Sequence, residues 1–475
     1  MADILWTAKQ LAEITGGRII GNEGAGVSGF SIDSRTLEEG DAYVAIKGDV
    51  HDGHKFASAA LKSGAVLAIV SKHDDEMQAA GTLLVVNEDP LQALEKIARA
   101  SRDRFTGRVA AITGSVGKTG TKEMLRMCLA KSGKVHASIK SYNNHWGVPL
   151  MLANLPMDAD FGVFEVGMNH PGEIVPLVGM IKPEVAIITT VAPVHLGMFH
   201  SVDEIADAKA EIFTGVRPGG TAILNLDNAY FDHLKKAAEN CGIEHFVSFG
   251  EASEADVHLT KTVLHDSCSC VQANVAGDAV TYKIGAPGRH FVQNSLAVLA
   301  AVKCLDADLT MAVLALAGVS APVGRGERSV LQVPGGSITL IDEAYNANPT
   351  SVAAALAVLG SSKPGKGGRR ISVLGDMLEL GEKSAQLHAE LITSVDEASV
   401  DRVYACGSMM KHLWDALNPT QQAAHTETSE GLKDFLLRDI RAGDVVMIKG
   451  SLGSKMLPLV SAIKERFPEV TKEHG

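Results

Sequence analysis

The chain has 475 residues, of which 46 % are hydrophobic and 21 % are charged, and its formal net charge is −12. This length exceeds one ordinary hydrophobic core and predicts two to four domains, while the composition is that of a folded globular protein and argues against extended disorder. The acidic charge argues against a nucleic-acid partner, because phosphates require a basic face, but an anionic small substrate is compatible with a local basic pocket.

The cysteines and the N-terminal segment predict a cytoplasmic protein. Cys268 and Cys270 form a C-S-C pair with no second pair at metal-ligand distance, so we expect buried free thiols rather than a zinc site. Free thiols fit a reducing compartment. The first residues carry Asp3 and Lys9 inside their apolar pattern, unlike a signal peptide, and the most apolar long region, 295–323, is interrupted by charges. We therefore expect no transmembrane segment.

Residues 1–86 are predicted to form a small α/β domain. Short strands and turns are expected in GFSIDSRTLEEGDAYVAIKG at 29–48, followed by the amphipathic segment FASAALKSGA at 56–65. NEDP at 87–90 is a turn signal, and residues 91–105 have helical spacing. We interpret this helix as the connection to the second domain.

Residues 87–320 alternate apolar strands with helices. This alternation predicts a central domain with a mainly parallel sheet covered by helices on both faces. The strand candidates are RVAAIT at 108–113, FGVFEV at 161–166, EVAIITT at 184–190 and TAILNL at 221–226. The helix candidates are TKEMLRMCLAKSG at 121–133 and VDEIADAKAEIFTGV at 202–216. Residues 255–285 contain short strand-like stretches and predict an antiparallel edge.

Residues 321–475 repeat the strand–helix alternation. The strand candidates are SITLID at 337–342, RRISVLG at 369–375, RVYACG at 402–407 and DVVMIKG at 444–450. Each leads into a helix-like segment, which predicts a second doubly wound unit. The predicted fold is therefore α/β in three domains: a small N-terminal domain, a central P-loop-type domain with a mainly parallel sheet, and a C-terminal Rossmann-like domain.

The stretch AITGSVGKTGTKEML at 111–125 places a glycine turn between a predicted strand and a predicted helix. In such a turn backbone N–H groups point at anionic oxygens, and glycine lets the backbone approach them. Lys118 would neutralise β- and γ-phosphate charge, and the Thr119 hydroxyl would ligate Mg²⁺. The general phosphate-loop pattern has about four residues between its glycines, whereas here there are two. The alternative is a tight strand–helix turn with a solvated lysine.

Two further side chains follow strands of the same predicted sheet. Glu165 lies in FGVFEV, and His195 follows EVAIITT by a few residues, so both should lie at the carboxyl edge near the glycine turn. A carboxylate and an imidazole there suit a divalent metal bound to phosphates. For His195 an ordinary loop histidine is the alternative.

Seven stretches spread over the chain match one family. They are DSRTLEEGDAYVAIKGDVHDGHKFA at 33–57, TGSVGKTGTKEM at 113–124, YNNHWGVPLML at 142–152, FEVGMNHPGEI at 164–174, GRHFVQNSLAVLAA at 288–301, IDEAYNANPTS at 341–351 and LGDMLELGEKSAQLH at 374–388. Together they resemble the Mur ligases, the ATP-dependent amide ligases of peptidoglycan synthesis.

The resemblance implies an activity and its substrates. An ATP- and Mg²⁺-dependent ligase would join D-alanyl-D-alanine to UDP-N-acetylmuramoyl-tripeptide through an acyl phosphate, as a cytoplasmic monomer. Residues 1–86 would bind the UDP-sugar, residues 87–320 would bind ATP, and residues 321–475 would bind the incoming amine.

The resemblance also implies the site residues. Those contacting ATP would be Thr113, Gly114, Ser115, Val116, Gly117, Lys118, Thr119, Asn294, Arg325 and Asp342. Those lining the UDP-sugar pocket and the path to the phosphates would be Ser34, Arg35, Lys47, His54 and Asn144. The metal ligands would be Thr119, Glu165, His195 and, only if it is carbamylated, Lys209. The residues serving catalysis would be Lys118, Glu165, His195, Asn294, Arg325 and Asp342.

Two positions are left open by the resemblance. Lys209 aligns with a lysine that some members carry as a carbamate, which turns a cation into a metal-binding anion; a plain surface lysine is the alternative. After the two asparagines, related segments often have an acidic residue, whereas this chain has His145 followed by Trp146. No role is assigned to His145.

Two other functions are compatible with the glycine turn. A folylpolyglutamate synthase-like ligase shares the mechanism and the central domain, but the stretch at 33–48 favours a UDP-sugar domain. A nucleotide switch would use the turn to gate a partner, but Glu165, His195 and a second α/β domain are more than a switch requires.

Overall fold

The computed structural model describes residues 3–48, 50–139, 141–194 and 196–470. Three larger sheets, of five, nine and six strands, follow one another along the chain, and a two-stranded sheet lies near the N-terminus. Most neighbouring strands in the larger sheets are parallel, and helices connect them, which confirms the predicted α/β class. The domain boundaries at 86/87 and 320/321 remain predictions.

The N-terminal part is built on the five-stranded sheet. Its strands, with the two of the small sheet, are β1 (Trp6–Thr7), β2 (Arg18–Ile20), β3 (Gly26–Val27), β4 (Gly29–Ser31), β5 (Asp41–Val44), β6 (Leu67–Val70) and β7 (Leu83–Val85). Its helices are α1 (Ala8–Thr15), α2 (Ala57–Lys62), α3 (Asp75–Ala80) and α4 (Pro90–Arg104), with a 3-10 turn at Gly53–Phe56. The strand order is β2-β7-β6-β5-β4, and only the β2–β7 pair is antiparallel.

The predicted connecting helix is confirmed as α4. Its first turn is capped by the Asp89 carboxylate, which accepts a hydrogen bond from Leu91 N at 2.8 Å. Pro90 occupies the first helical position, where its missing N–H costs nothing. The turn signal in NEDP therefore marks the start of the helix.

The central part is built on the nine-stranded sheet. Its strands are β8 (Arg108–Thr113), β9 (Val135–Ala137), β10 (Phe161–Glu165), β11 (Val185–Ile188), β12 (Thr221–Asn225), β13 (His245–Gly250), β14 (Val257–Leu264), β15 (Ser269–Val275) and β16 (Asp278–Ile284). Its helices are α5 (Lys118–Leu129), α6 (Gly147–Ala153), α7 (Ile174–Ile181), α8 (Val202–Ala210), α9 (Phe231–Asn240), α10 (Arg289–Cys304) and α11 (Leu309–Ala315), with 3-10 turns at Glu211–Gly215 and Leu316–Gly318.

The strand order in this sheet is β16-β15-β14-β13-β12-β11-β8-β10-β9. The seven strands from β14 to β9 are parallel, and β14, β15 and β16 form the predicted antiparallel edge. β8 lies between β11 and β10, so the carboxyl ends of these three strands meet around the glycine turn.

The two helices predicted in this part have different bounds in the structure. The helix expected over 202–216 ends at Ala210 and continues as a 3-10 turn. The turn packs tightly against α7: a Cβ at Gly215 would lie 2.4 Å from the carbonyl oxygen of Val178. The helix expected to begin at residue 121 begins at Lys118, because the glycine turn itself supplies its N-terminus.

The C-terminal part is built on the six-stranded sheet. Its strands are β17 (Glu327–Val333), β18 (Gly336–Glu343), β19 (Arg370–Gly375), β20 (Arg402–Cys406), β21 (Gln422–Thr426) and β22 (Val445–Lys449). Its helices are α12 (Pro349–Ser361), α13 (Ser384–Ala389), α14 (Leu391–Glu397), α15 (Met410–Ala416), α16 (Ser429–Asp439) and α17 (Leu457–Arg466), with 3-10 turns at Gly381–Lys383 and Leu452–Ser454. The order is β17-β18-β22-β19-β20-β21.

The sequence did not predict β17, which pairs antiparallel with β18 at the sheet edge. Residues 329–333 alternate buried and exposed side chains, whereas β22 is buried throughout. An edge strand with one solvated face lacks the continuous apolar run by which the parallel strands were recognised.

All six cysteines are free thiols, as expected. Only Cys128 and Cys406 are buried, however, while Cys241 and Cys270 are exposed. The expectation that the thiols are buried is therefore wrong for most of them.

The N-terminal and central parts share one hydrophobic core. Residues of β5 and β6 pack in the same cluster as α4, α6 and α7. The Asn154 side chain adds a polar link: its Oδ1 accepts from Phe30 N at 2.8 Å and its Nδ2 donates to Phe30 O at 3.1 Å. This amide pairs with the edge strand β4 as a neighbouring strand would.

Arg102 is the most buried charge at this junction. Its side chain is 0 % exposed and donates to Ile181 O at 2.6 Å, Lys182 O at 2.7 Å and Glu184 Oε1 at 3.0 Å. Burial lowers the pKa of the guanidinium, and the Glu184 carboxylate opposes that effect. We expect these contacts to be costly to remove, because buried acceptors would lose their donor.

Arg102→Met is expected to lower the free energy of unfolding by about 3 kcal/mol, because it leaves the Ile181 and Lys182 carbonyls without this donor. Urea denaturation followed by circular dichroism measures the loss. Arg217→Met is the matched control, since Arg217 binds the same Glu184 at 2.8 Å from a more exposed position and should cost less than about 1 kcal/mol. Equal losses in the two variants would contradict this assignment.

Candidate active site

The glycine turn joins the buried end of β8 to the start of α5. Gly114 has φ +150° and Gly117 has φ +87°. A Cβ at Gly114 would lie 1.9 Å from Oγ1 of Thr189, and one at Gly117 would lie 2.8 Å from Oδ1 of Asn294. Both positions therefore require glycine, and the turn presents backbone N–H groups at the N-terminus of a 12-residue helix.

The turn is fixed by the loop that follows β11. Thr189 Oγ1 donates to Val116 O at 2.6 Å. Ser115 Oγ donates to Ala192 O at 3.0 Å and accepts from Ala192 N at 2.9 Å. The predicted strand over 184–190 ends at Ile188, which leaves Thr189 free to make this contact. The turn is thus held in place before any anion binds.

Lys118 folds back over the turn. Its Nζ donates to Gly114 O at 2.5 Å, and its side chain is half-buried. Burial lowers the pKa of Lys118, the Glu165 carboxylate opposes this, and Arg325 adds to it. A cation partly removed from water beside a glycine turn interacts strongly with a bound anion.

Thr119 and Glu165 form a buried oxygen cluster beside Lys118. The Glu165 side chain is 1 % exposed at the end of β10 and accepts from Thr119 Oγ1 at 2.9 Å. It also accepts from Asn143 Nδ2 at 2.7 Å. The sequence did not single out Asn143, although it stands next to the predicted Asn144 in the YNN stretch. Thr113, the last residue of β8, has a buried hydroxyl with no hydrogen-bond partner within the described residues.

The Asn144 side chain is used differently. Its Oδ1 accepts from Gly147 N at 2.9 Å and from Trp146 N at 3.2 Å, so it caps the start of α6. Asn144 is exposed. The proposal that Asn144 lines the substrate path therefore rests on the position of its backbone. The contact with the Glu165 carboxylate is made by its neighbour Asn143.

Lys209 is buried, not a surface lysine. Its side chain lies on α8 and the residue is 2 % exposed. No hydrogen bond or ion pair to Lys209 is found among the described residues. Burial and the nearby Lys118 lower the pKa of Lys209 well below its usual value. This burial excludes the alternative that Lys209 is a plain surface lysine. The other predicted metal ligand, His195, lies outside the described residues.

Two predicted ATP residues approach the turn from other elements. Asn294 on α10 reaches Gly117, as described above. The Arg325 guanidinium lies 4.1 Å from the centroid of the Tyr345 ring and donates from Nη2 to Ser141 Oγ at 3.2 Å. Arg325 therefore already reaches the central part from the C-terminal part.

Asp342 is buried and hydrogen-bonded to backbone. Its Oδ1 accepts from Ala344 N at 3.0 Å and its Oδ2 accepts from Gly324 N at 3.2 Å. Burial raises the pKa of Asp342, and the two N–H donors oppose that effect. In this conformation Asp342 fixes the segment that carries Arg325.

A cavity of about 260 Å³ lies between the central and C-terminal parts. Its lining includes Ser115, Lys118 and Asn169 of the central part and Tyr345, Asn346 and Ser451 of the C-terminal part. Gly197 N donates to Glu379 O at 2.8 Å, which joins the two parts at the same cleft. Lys118 thus faces a cleft into which the carboxyl edges of both sheets open.

The residues of the N-terminal part that are predicted to bind the UDP-sugar are distant in sequence from those that line this cleft. Arg35 is 86 % exposed and donates from Nη2 to Asp33 Oδ2 at 2.7 Å. Ser34 is half-buried and Lys47 is exposed. These side chains are accessible to a ligand.

His54 differs from the others because it is buried, at 5 % exposure. Its Nδ1 lies 2.6 Å from Asp52 Oδ1, and its Nε2 accepts from Ser71 N at 3.0 Å. The Lys72 ammonium and this histidine hold the pKa of Asp52 well below its usual range, with Lys72 the larger influence. Both ring nitrogens are occupied, so His54 stabilises the loop of Asp52 rather than offering a free donor.

The oxygen donors beside the turn suit Mg²⁺. Thr119 and Glu165 supply a hydroxyl and a carboxylate, which are ligands this hard cation accepts together with substrate phosphates. No group of three or more histidine, cysteine or acidic residues arranged for a metal occurs in the described ranges. A phosphate-bound Mg²⁺ needs only one or two protein carboxylates, so the donor set fits.

Among the helices of the described residues, none combines the length and apolarity that a membrane span requires.

Three family models match successive parts of the chain. They are the Mur ligase family catalytic domain at residues 26–102, the Mur ligase middle domain at 112–302 and the Mur ligase glutamate ligase domain at 324–452. The UDP-N-acetylmuramoyl-tripeptide–D-alanyl-D-alanine ligase of Rickettsia prowazekii (strain Madrid E) is 32 % identical over 457 residues, covering 96 % of this chain and 99 % of the relative.

Solved structures are similar over the same extent. A crystal structure of MurF from Acinetobacter baumannii has a TM-score of 0.84 and 31 % identity, covering 97 % of this chain and 99 % of that one. The MurF ligase of Thermotoga maritima in complex with ADP has a TM-score of 0.74 and 25 % identity, covering 92 % and 97 %.

Proposed function

The chain belongs to the Mur ligase family, and we propose that it is the ATP-dependent ligase that joins D-alanyl-D-alanine to UDP-N-acetylmuramoyl-tripeptide. The product is UDP-N-acetylmuramoyl-pentapeptide, a precursor of peptidoglycan. The observation that carries this proposal is the near full-length match to relatives with that printed activity. The Lys118–Thr119–Glu165 cluster supplies the chemistry that such a reaction needs.

A carboxylate and an ammonium do not condense in water, because the carboxylate is a poor electrophile. In the proposed reaction a carboxylate oxygen of the tripeptide attacks the γ-phosphorus of ATP, and the bond from that phosphorus to the β–γ bridging oxygen breaks. This gives an acyl phosphate and ADP. The neutral amine of D-alanyl-D-alanine then attacks the acyl carbon, loses a proton, and phosphate departs with the former carboxylate oxygen.

The residues around the glycine turn lower the barrier mainly by charge and position. Lys118 and the backbone N–H groups of 116–119 offset the charge of two approaching anions, whereas the Ser115 N–H already donates to Thr190 O at 2.9 Å. Holding the reactants in line is worth up to about 7–11 kcal/mol. The acyl phosphate would form in the cleft between the central and C-terminal parts, where closure over the substrates would keep water from hydrolysing it.

Thr119 and Glu165 would hold Mg²⁺, with His195 and a carbamylated Lys209 as further ligands. Bound there, the ion would neutralise phosphate charge and orient the γ-phosphoryl group. Asn143 orients the Glu165 carboxylate, because it donates to the oxygen that Thr119 does not contact.

The remaining assignments follow the three parts of the chain. We assign the UDP-sugar to residues 1–86, ATP to residues 87–320 and the dipeptide to residues 321–475. Asn294 would contact the adenine side of ATP, and Arg325 and Asp342 would act from the C-terminal part. We further propose a cytoplasmic monomer.

The reaction is tested by phosphate release with ATP, Mg²⁺, UDP-N-acetylmuramoyl-tripeptide and D-alanyl-D-alanine, each omitted in turn. Release that requires all four, with an amide product by mass spectrometry, supports the proposal. Release that is unaffected by omitting the dipeptide would point to hydrolysis or another amine. Activity with folate and glutamate instead would favour the folylpolyglutamate synthase-like alternative.

Arg35→Ala is expected to raise the apparent KM for the UDP-sugar peptide about tenfold and to leave the KM for ATP within about twofold, since a lost charge-assisted contact costs about 1.4 kcal/mol. Steady-state kinetics with each substrate varied in turn measures both. Arg18→Ala, an exposed arginine on the same sheet, is the matched control and should change neither constant. Equal effects of Arg35→Ala on the two substrates would contradict the domain assignment.

A further inference from the structure

Trp146 lies where the N-terminal and central parts meet. A Cβ on Gly48 would lie 3.1 Å from Cη2 and 3.7 Å from Cζ2 of the Trp146 ring. The N-terminal segment at 47–48 therefore lies directly against the edge of the indole. Any side chain at position 48 would push the indole ring away from this segment. Lys47, assigned above to the UDP-sugar, is the neighbour of this contact.

The same tryptophan is tied to the carboxylate at the phosphate end of the site. Trp146 N donates to Asn144 Oδ1, and the preceding Asn143 donates to Glu165 Oε1 at 2.7 Å. Trp146 therefore stands between the proposed UDP-sugar pocket and the proposed metal and phosphate cluster. The reacting substrate must span this same interval, with its uridine diphosphate at one end and its carboxylate at the other.

The backbone of Trp146 is held rigidly. It is the residue immediately before α6, and every residue of α6 from Gly147 to Ala153 is buried. At the other end of α6, Asn154 is hydrogen-bonded to the backbone of Phe30. Trp146 is thus fixed to both parts of the protein, as a residue that aligns a ligand across them should be.

The indole retains binding capacity. Trp146 is half-buried, and no hydrogen bond of its indole N–H is found among the described residues. By contrast, Trp6 is 7 % exposed and lies under the Arg104 guanidinium at 3.5 Å. An aromatic ring with an apolar body and a free donor suits a ligand with C–H faces and carbonyl acceptors. A sugar carrying acyl and peptide groups has both.

We propose that Trp146 is a substrate-binding residue that contacts the sugar–peptide segment between the uridine diphosphate and the reacting carboxylate. This inference rests on the proposed function. It places the sugar–peptide segment of the substrate against the central part of the chain, whereas the first 86 residues bind the nucleotide end. It also gives the His145-Trp146 pair, where related segments often have an acidic residue, a role in substrate alignment.

Intrinsic fluorescence tests the contact directly, because the chain has three tryptophans. UDP-N-acetylmuramoyl-tripeptide is expected to change the emission of the wild-type protein, whereas UDP alone is expected to change it little. The change should disappear in Trp146→Phe and persist in Trp414→Phe, the matched control in the C-terminal part. A change that persists in Trp146→Phe, or that UDP alone produces in full, overturns the inference.

Kinetics separates binding from a purely structural role. Trp146→Ala is expected to raise the KM for the UDP-sugar peptide about tenfold, with the KM for ATP within about twofold and kcat within about threefold. Trp146→Phe keeps an aromatic ring and should fall in between. Unchanged KM in both variants, or equal losses for ATP and the UDP-sugar peptide, overturns the inference.

Calorimetric titration of the wild-type protein with the UDP-sugar peptide separates a failure of this inference from a failure of the proposed function. If the wild-type protein binds the UDP-sugar peptide and Trp146→Phe binds it with the same affinity, this inference is overturned and the proposed function stands. No binding by the wild-type protein would overturn both.

Discussion

Replacing Lys118 by alanine is expected to reduce ligation about 10³-fold or more while leaving the fold intact. The loss is large because the Lys118 ammonium is partly desolvated and lies over the glycine turn, where charge interactions are much stronger than in water. Stability should not fall, because among the described residues the side chain makes a single hydrogen bond, to Gly114 O, and its burial as a cation is itself unfavourable.

Phosphate release under saturating substrates measures the first effect, and thermal unfolding measures the second. Lys118→Arg retains the charge but not the compact ammonium, and we expect it to remain impaired by about 10²-fold or more. Lys131→Ala, an exposed lysine just beyond α5, is the matched control and should behave as wild type. Turnover of Lys118→Ala near the wild-type level would remove the phosphate-loop assignment.

The sequence predicted the glycine turn and its carboxylate because both depend on local order. A strand, a turn with two glycines and a helix dictate where the backbone N–H groups point, whatever surrounds them. Glu165 was found for a related reason: it ends a strand beside β8, and parallel strands bring their carboxyl ends to one edge. Such features need only the chain direction and the strand order.

The sequence could not decide between neighbours whose roles depend on tertiary contacts. Asn143 and Asn144 are identical in type, yet one binds the Glu165 carboxylate and the other caps α6. Likewise, His54 stands in a polar stretch, and only the packing of Ser71 against its Nε2 shows that the ring is buried and fully paired. The alternation in β17 is likewise a weak signal, because an edge strand with one solvated face has no continuous apolar run.

Lys209 shows the same limit with the largest chemical consequence. In VDEIADAKAEIF the lysine is surrounded by charged residues, which is typical of an exposed helix face. The structure instead buries it near Lys118, with no partner in the described residues. An unpaired ammonium in this position is unfavourable, both by desolvation and by repulsion from Lys118. The neutral amine that results is the form that reacts with CO₂.

Lys209→Met is therefore expected to reduce ligation about 10²-fold or more while leaving the protein folded. The proposed reaction joins the lysine nitrogen to the carbon of CO₂ and releases one proton, leaving a carbamate anion. This anion would be attracted to Lys118 and would add an oxygen ligand for Mg²⁺ beside Thr119 and Glu165. Methionine fills the space but supplies neither the negative charge nor the oxygen ligand, so the loss should fall on activity rather than on folding.

Carbon-13 NMR with labelled bicarbonate tests the modification itself. A carbamate resonance is expected in the wild-type protein and in the control Lys236→Met, an exposed lysine on α9, and should be absent in Lys209→Met. Depleting CO₂ should lower wild-type turnover, and bicarbonate should restore it. Full activity of Lys209→Met would show that the lysine has no part in catalysis. Full wild-type activity with no carbamate signal would instead leave Lys209 as a neutral amine, with Thr119 and Glu165 as the only described ligands for the metal.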